Sequence, residues 1–232
     1  MEQNYILKKR VEMVKYKHIK NILDKLIAII LLIVTLPISI VIAFLIKLDS
    51  KGKVIFKHKR VGKDKKIIYV YKFRTMVENA EKLKEEFTAK QKQEFENKYK
   101  LENDPRITNI GKKIRKLSLD EIPQLINVLK GEMAIVGPRP ITYEETKKYG
   151  KNKQQLLSVK PGIVGAWTAN GRNNVEYSKR IELELNYTEN ITLKNDIKII
   201  LKTLIAVIQR EGAMWKKIRI DKNEIFWYNV GK

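Results

Sequence analysis

The chain contains no cysteine. Disulfides, thiol nucleophiles and cysteine-ligated zinc or iron–sulfur centres are thereby excluded. Histidine is nearly as scarce: His18 and His58 are the two present, too few for a multi-histidine metal site. Acidic residues are in short supply, 26 against 48 lysines and arginines, so the formal charge is +22 over 232 residues. That imbalance favours an anionic partner, whether nucleic acid, phospholipid or a phosphorylated substrate. No G-x-x-x-x-G-K-S/T loop, kinase motif set or H-E-x-x-H occurs, and the glycines of GIVGAWTANGR do not have dinucleotide-binding spacing. What remains is chemistry by carboxylates, arginines and lysines, with room for a hard, oxygen-liganded metal. The hydrophobic fraction of 44% suffices for a core, and the length allows one catalytic domain.

Charge is missing from one long stretch. Leu26 to Ile46 runs 21 residues without a charged side chain, about 31 Å as a straight helix and so about one hydrocarbon core. Its exit, FLIKLDSKGK, has no small-x-small cleavage site, which argues against a signal peptide. Both flanks are basic, from Lys8 to Lys25 on one side and from Lys47 to Lys63 on the other, and cytoplasmic flanks are the ones enriched in lysine and arginine. Pro37 lies near the middle, and Ser39 is placed to satisfy a carbonyl that the proline frees. A bent hairpin that enters and leaves on the cytoplasmic face fits these facts better than a straight span. The chain then divides into a basic segment (1–25), a membrane segment (26–46) and a cytoplasmic domain (47–232).

Within that domain, VIFKHKRVG and KIIYVYKFRTM predict a small β-hairpin turning at Gly62–Lys65. Residues 77–102 are charged and lack proline and glycine, which suits an exposed amphipathic helix or a mobile arm. Short helices are expected over 109–117, 120–130 and 176–189. The apolar stripe of Ile197–Ile208 suits a core helix or a helix lying on a membrane surface. The expected class is therefore α+β, mostly helical.

Only 10 of the 48 basic residues are arginine, so lysine is the default cation. Arg60, Arg74, Arg106, Arg115, Arg139 and Arg172 all stand beside turn or strand signals, where the rigid guanidinium fork suits a phosphate or carboxylate and also a plain surface ion pair. Ser118-Leu119-Asp120-Glu121-Ile122-Pro123 places two adjacent carboxylates at a helix start. Two registers are open: Asp120 as N-cap with Pro123 in the first turn, or Ser118 as cap with Glu121 completing a capping box. Acidic residues often merely decorate a helix start. Here Arg115 lies just upstream and the stiff Gly137-Pro138-Arg139-Pro140 just downstream, and an anionic nucleophile facing arginines is what a phosphoryl electrophile requires.

Taken together, the apolar segment with its central proline, LDSKGKVIFKHKRVG, YKFRTM, DPRITNIGKKIRKLSLDEIPQLINVLKGEMAIVGPRP, KPGIVGAWTANGRN and IELELNYTENITLKNDIKIILKT resemble, in order, the monotopic phosphoglycosyl transferases, often called bacterial sugar transferases. The resemblance runs from about Asn21 to Trp215 and is closest to the small form of the family. It implies a re-entrant helix-break-helix in one leaflet, with the break at Pro37 and Ser39 and both ends cytoplasmic. Asp120 would attack the β-phosphate of a nucleotide-activated sugar and expel a nucleoside monophosphate, and polyprenol phosphate would then capture the phosphosugar–Asp intermediate. Glu121 would assist. A magnesium ion held partly by Asp120 would neutralise the diphosphate. Arg115 and Arg139 match family arginines near the phosphates, and Arg74 lies in a matched run. The implied partners are a nucleotide-sugar donor, expected as a UDP sugar, a polyprenol phosphate acceptor and membrane lipids, with room for a homo-oligomer. Two departures stand out: Leu36 precedes Pro37 where many members have serine, and GIVGAWTA replaces GITGWAQV-like runs.

Two rival readings come from other functional classes. One is a membrane-tethered nucleic-acid-binding protein, disfavoured because the lysines are spread along the chain and no recognition motif is present. The other is a non-catalytic scaffold for glycan assembly, against which Asp120, Glu121 and Arg139 argue.

Overall fold

The computed structural model describes residues 2–98, 101, 104–170, 175–208, 220–221 and 224–225. Helix α1, Glu2–Asp49, carries the whole apolar run. It passes through Pro37 without interruption, so the expected helix-break-helix is a single helix, and the proposed boundaries at 25/26 and 46/47 fall inside it. A proline deletes one donor and leaves the rest of the ladder to hold the helix. The hydroxyl that bonds back to a carbonyl here is that of Thr35, donating to Leu31 O at 2.6 Å, rather than that of Ser39.

One face of α1 docks on the rest of the protein. Met13, Tyr16, Lys20, Asp24, Ala28 and Leu32 recur at helical spacing and are buried or packed against the main core, and Ile42 and Ile46 are buried again farther along. The ionic residues of this face find partners inside the protein. Lys20 Nζ lies 2.7 Å from Asp196 Oδ2 and 3.2 Å from Asp24 Oδ2, while the Tyr16 hydroxyl donates to Asp196 at 2.9 Å. Between the two docked stretches the apolar side chains face outward; Ile33 and Val34 are each 68% exposed. Only 11% of the most apolar 18-residue window is covered by protein, so α1 is no core helix of a soluble domain.

Strands β1 (Ile55–Val61) and β2 (Ile67–Phe73) form the expected antiparallel hairpin, with Phe56 opposite Lys72, His58 opposite Val70 and Arg60 opposite Ile68. Facing residues and their i+2 neighbours share one side of a pleated pair, so Phe56, His58, Arg60 and Lys72 line one face. The turn between the strands holds Asp64 and Lys65 at positive φ. The stretch 77–102, expected as an exposed amphipathic helix or a mobile arm, carries two helices among its described residues, α2 (Ala80–Glu85) and α3 (Ala89–Lys98). Helix α4 (Asn109–Lys116) is capped by Thr108, whose Oγ1 accepts from Gly111 N at 3.0 Å.

Helix α5 (Gln124–Leu129) begins after Pro123 rather than at residue 120. Its Asn127 is fully buried and stitches α5 to the hairpin: Oδ1 accepts from Tyr71 N at 3.0 Å, and Nδ2 donates to Tyr69 O at 2.8 Å and Glu132 Oε2 at 2.7 Å. Strands β3 (Ala134–Val136) and β4 (Gly162–Val164) are parallel and central. A Cβ on Gly162 would stand 2.1 Å from Gly137 N, so this close approach requires glycine and fixes the origin of the Pro138–Pro140 loop. A short helix α6 (Lys153–Leu156) follows.

Helices α7 (Tyr177–Glu189) and α8 (Leu193–Ile208) close the body. Helix α8 has two faces: Asp196, Ile199 and Thr203 are buried, while Leu193, Ile197, Leu201, Leu204 and Ile205 are exposed. A two-residue ribbon pairs Ile220–Asp221 with Glu224–Ile225. The fold is thus a mostly helical α+β body with one long apolar N-terminal helix and a small hairpin.

Candidate active site

Asp120 and Glu121 lie in a 3-10 turn, Leu119–Glu121, wedged between α4 and α5. Neither capping register expected from the sequence is formed. Pro123 itself occupies the N-cap of α5, and Ser118 is in the left-handed region at φ 57°, a conformation that turns the chain sharply between the two helices. This turn drives the Asp120 side chain inward; the residue is 8% exposed.

Burial pushes the Asp120 carboxyl above the usual carboxylate range, and the neighbouring Glu121 charge adds to this, while Lys72 and Arg115 oppose it. Lys72 Nζ stands 2.8 Å from Glu121 Oε1 and 3.8 Å from Asp120 Oδ2, so one ammonium bridges both carboxylates. Arg115 is half-buried and held by a 2.7 Å bond from its Nε to Thr75 Oγ1. Burial lowers the Arg115 pKa, and the Asp120 and Asp104 charges counter this. The ionised Asp120 is therefore desolvated but flanked by two cations, the arrangement in which a carboxylate can approach an anionic phosphorus.

The structure thus brings Asp120, Glu121 and Arg115 together and adds Lys72, which the sequence reading passed over. Its signal was present, since Lys72 lies inside YKFRTM, but one lysine among so many carries little weight. Arg139 belongs to the other end of the hairpin from Lys72, since Ile141 bridges Val61 whereas Lys72 pairs with Phe56. The imidazole feels the charges of Arg60, Lys72 and Arg139, whereas the charges acting on Asp120 come from Lys72, Glu121 and Arg115. The guanidinium of Arg139 lies 5.5 Å from the Trp167 ring centre. Its backbone N–H donates to Glu184 Oε1 at 3.1 Å, so the buried Glu184 fixes the Pro138–Pro140 loop. Glu184 sits within the inward stripe of α7, where an acidic residue between Ile181 and Leu185 is the one sequence hint of its role.

Arg74 is elsewhere. Its Nη2 donates to Ser50 O at 2.8 Å, its Nη1 bonds Lys51 O, and it closes the C-terminal end of α1. Helix ends leave carbonyls without partners, and a buried arginine satisfies several at once. Arg106 is likewise structural: its guanidinium pairs with both oxygens of Asp104, at 2.8 and 2.7 Å, and lies 5.0 Å from the Phe87 ring centre. Arg172 lies outside the described residues.

Among the described residues no group of three or more histidine, aspartate or glutamate side chains gathers at one point. A magnesium ion completed by substrate phosphate and water would need only one or two protein carboxylates, and Asp120, farther from Lys72 than Glu121 is, is the residue that would hold it.

The bacterial sugar transferase family model matches residues 15–210. The chain is 42% identical over 200 residues to an undecaprenyl-phosphate galactose phosphotransferase of Salmonella typhimurium, a match covering 85% of this chain and 42% of that protein. It is 38% identical over 197 residues to the exopolysaccharide production protein ExoY of Sinorhizobium fredii, covering 84% of this chain and 87% of the relative. A UDP-galactose-lipid carrier transferase of Erwinia amylovora is 40% identical over 200 residues, covering 85% of this chain and 42% of its own. The chain therefore spans less than half of two of these relatives and most of the third.

Proposed function

Since the chain belongs to the bacterial sugar transferase family, we propose that it transfers a sugar 1-phosphate from a UDP-linked sugar to a polyprenol phosphate and so starts a polysaccharide or related glycoconjugate. The observation that carries this reading is the buried Asp120 carboxylate between Lys72 and Arg115. An Asp120 oxygen attacks the β-phosphorus, the bond from that phosphorus to the bridging oxygen breaks, and nucleoside monophosphate leaves with the electron pair. An oxygen of polyprenol phosphate then attacks the same phosphorus, releasing Asp120 and giving the polyprenyl diphosphate sugar. Lys72 and Arg115 offset the charge that builds between carboxylate and phosphate. Glu121, held by Lys72, stands where it can orient the acceptor. A magnesium ion on Asp120 would supply further neutralisation of the diphosphate.

The relatives' names support the donor and acceptor classes: one acts from UDP-galactose to a lipid carrier, and another on undecaprenyl phosphate. Incubating the purified protein with polyprenol phosphate, magnesium and a panel of UDP sugars should release uridine monophosphate and form a lipid-linked sugar in equal amounts. No release with any donor would reject the reading.

The same proposal places the body on the cytoplasmic face, with α1 dipping into one leaflet. Its support is that both flanks of the apolar stretch dock on one body, at Ala28 and again at Ile42. Fourteen residues of helix separate these anchors, about 21 Å, which falls short of the roughly 30 Å of hydrocarbon. The exposed apolar face of α8 and its neighbours Lys194, Lys198 and Lys202 suit a helix resting on the same surface. The cysteine-free chain makes the test simple. Lys15→Cys and Lys57→Cys should both resist an impermeant maleimide in intact spheroplasts, and both should react once the membrane is opened. Labelling of one but not the other in intact cells would contradict a monotopic arrangement.

A further inference from the structure

Beside the Asp120 site lies a second cationic group with too few counter-charges. Arg60 is 9% exposed, yet among the described residues it forms no ion pair; its Nη1 meets His58 Nε2 at 2.6 Å and Lys59 O at 3.3 Å. Burial, followed by the charge of Arg139, pushes the Arg60 pKa down to about 10. The Arg139 guanidinium also has no ion pair among the described residues. Arg180 completes the cluster: it is 7% exposed, its guanidinium lies 4.7 Å from the Trp167 ring centre, and its Nε and Nη2 are buried without a hydrogen-bond partner. The carboxylate built into this cluster is Glu184, 3.6 Å from Arg180 Nε. Glu144 and Glu145 act on Arg60 without reaching ion-pair distance, and Glu145 Oε2 is engaged by Thr142 N at 2.8 Å. Holding the Arg60 and Arg180 guanidinium groups out of water with Glu184 as the one carboxylate at ion-pair distance among the described residues is costly unless an anion joins them.

We infer that Arg60, held by His58 and acting with Arg139, forms a phosphate subsite for the departing nucleoside monophosphate, separate from the Lys72–Arg115 pair at the attacked phosphorus. This inference rests on the function proposed above. The order of the residues decides which phosphate is bound. Along the hairpin Lys72 pairs with Phe56 at the Asp120 end, His58 comes next and Arg60 follows, and Val61 bridges Ile141 just after Arg139, so both arginines belong to the end of the hairpin away from Lys72 and Asp120. In-line displacement expels the leaving group on the side of phosphorus opposite the nucleophile. The group that reaches Arg60 and Arg139 is then the leaving phosphate. Burial, followed by the charges of Arg60 and Lys72, brings the His58 pKa down to about 3, so the imidazole is neutral and can accept from Arg60. Arg180 lies 4.7 Å from the centre of the Trp167 ring that Arg139 approaches at 5.5 Å; it is not itself assigned a substrate contact.

The test is equilibrium binding of uridine monophosphate to the full chain in lipid nanodiscs, with thermal stability recorded for each variant. Arg60→Gln should weaken binding by at least about tenfold, the size expected for a charge-assisted bond. Arg60→Lys should fall between this variant and the parent. His58→Leu should reproduce the defect, whereas His58→Gln, which keeps an acceptor for Arg60, should retain most of the affinity. Discharge of a preformed phosphosugar adduct by polyprenol phosphate should proceed in Arg60→Gln at the parental rate. Unchanged nucleotide affinity in Arg60→Gln and Arg60→Lys would overturn the subsite. Slow discharge with unchanged nucleotide affinity would do so too, by giving the arginines to the acceptor's phosphate. Binding needs no turnover, so a parent that binds uridine monophosphate through Arg60 yet forms no adduct refutes the mechanism above and leaves the subsite standing.

Discussion

Asp120→Asn is expected to lower nucleoside monophosphate release by at least about a thousandfold, the scale seen when a nucleophile is removed from a site whose binding groups remain. The same substitution is expected to raise the protein's thermal stability in magnesium-free buffer at neutral pH. Burial lifts the native Asp120 pKa above its unfolded value, so the folded protein binds this proton more tightly than the unfolded chain does. Stability from the protonated carboxyl is present below the ordinary carboxylate pKa of about 4 and is lost as pH rises through the raised native value. Asparagine cannot ionise and escapes that loss. The gain over the parent should therefore shrink as pH is lowered towards about 4. A variant less stable than the parent at neutral pH, or a gain that grows on acidification, would show that the site stabilises the ionised carboxylate without substrate. Activity and stability oppose each other at this position, as expected where a reactive charge is held out of water.

Glu184→Ala carries the largest expected cost to folding. Glu184 is fully buried, accepts from the Tyr149 hydroxyl at 2.6 Å and from Arg139 N at 3.1 Å, and is the carboxylate nearest Arg180. Truncation leaves a buried guanidinium uncompensated, worth roughly 3–5 kcal/mol. For a chain of this size that is roughly 6–20 °C in the unfolding midpoint. Glu184→Gln keeps an acceptor for Arg139 and Tyr149 and should lose less. A midpoint shift of only about 1 °C in Glu184→Ala would mean that the Pro138–Pro140 loop is held by other contacts.

Local chemistry explains which parts of this architecture the sequence discloses. The hairpin is written in alternating β-formers around Gly62, α4 in a Thr108-capped stripe, and the carboxylate pair in its setting of arginines. What escapes local reading depends on partners far along the chain. Lys20 and Asp24 look like one more basic flank, and their burial makes sense only with α8, whose Asp196 gives Lys20 its closer ion pair. Asn127 reads as an ordinary polar helix residue, yet it takes up the Tyr71 N–H and the Tyr69 carbonyl. Arg74 shows the converse. A retained arginine in a matched run suggested a phosphate contact, but its fork closes the end of α1. Guanidinium chemistry is the same for a phosphate and for a row of helix carbonyls, so only the fold distinguishes the two uses.

The central claim is that Asp120 carries the phosphosugar between donor and acceptor. The direct measurement is peptide mass spectrometry on protein mixed with a UDP sugar and magnesium in the absence of polyprenol phosphate, quenched in acid. The account predicts a sugar-phosphate mass increment on the peptide containing Asp120, absent from Asp120→Asn and discharged when polyprenol phosphate is added. An increment on another residue, or one that persists in Asp120→Asn, would contradict it.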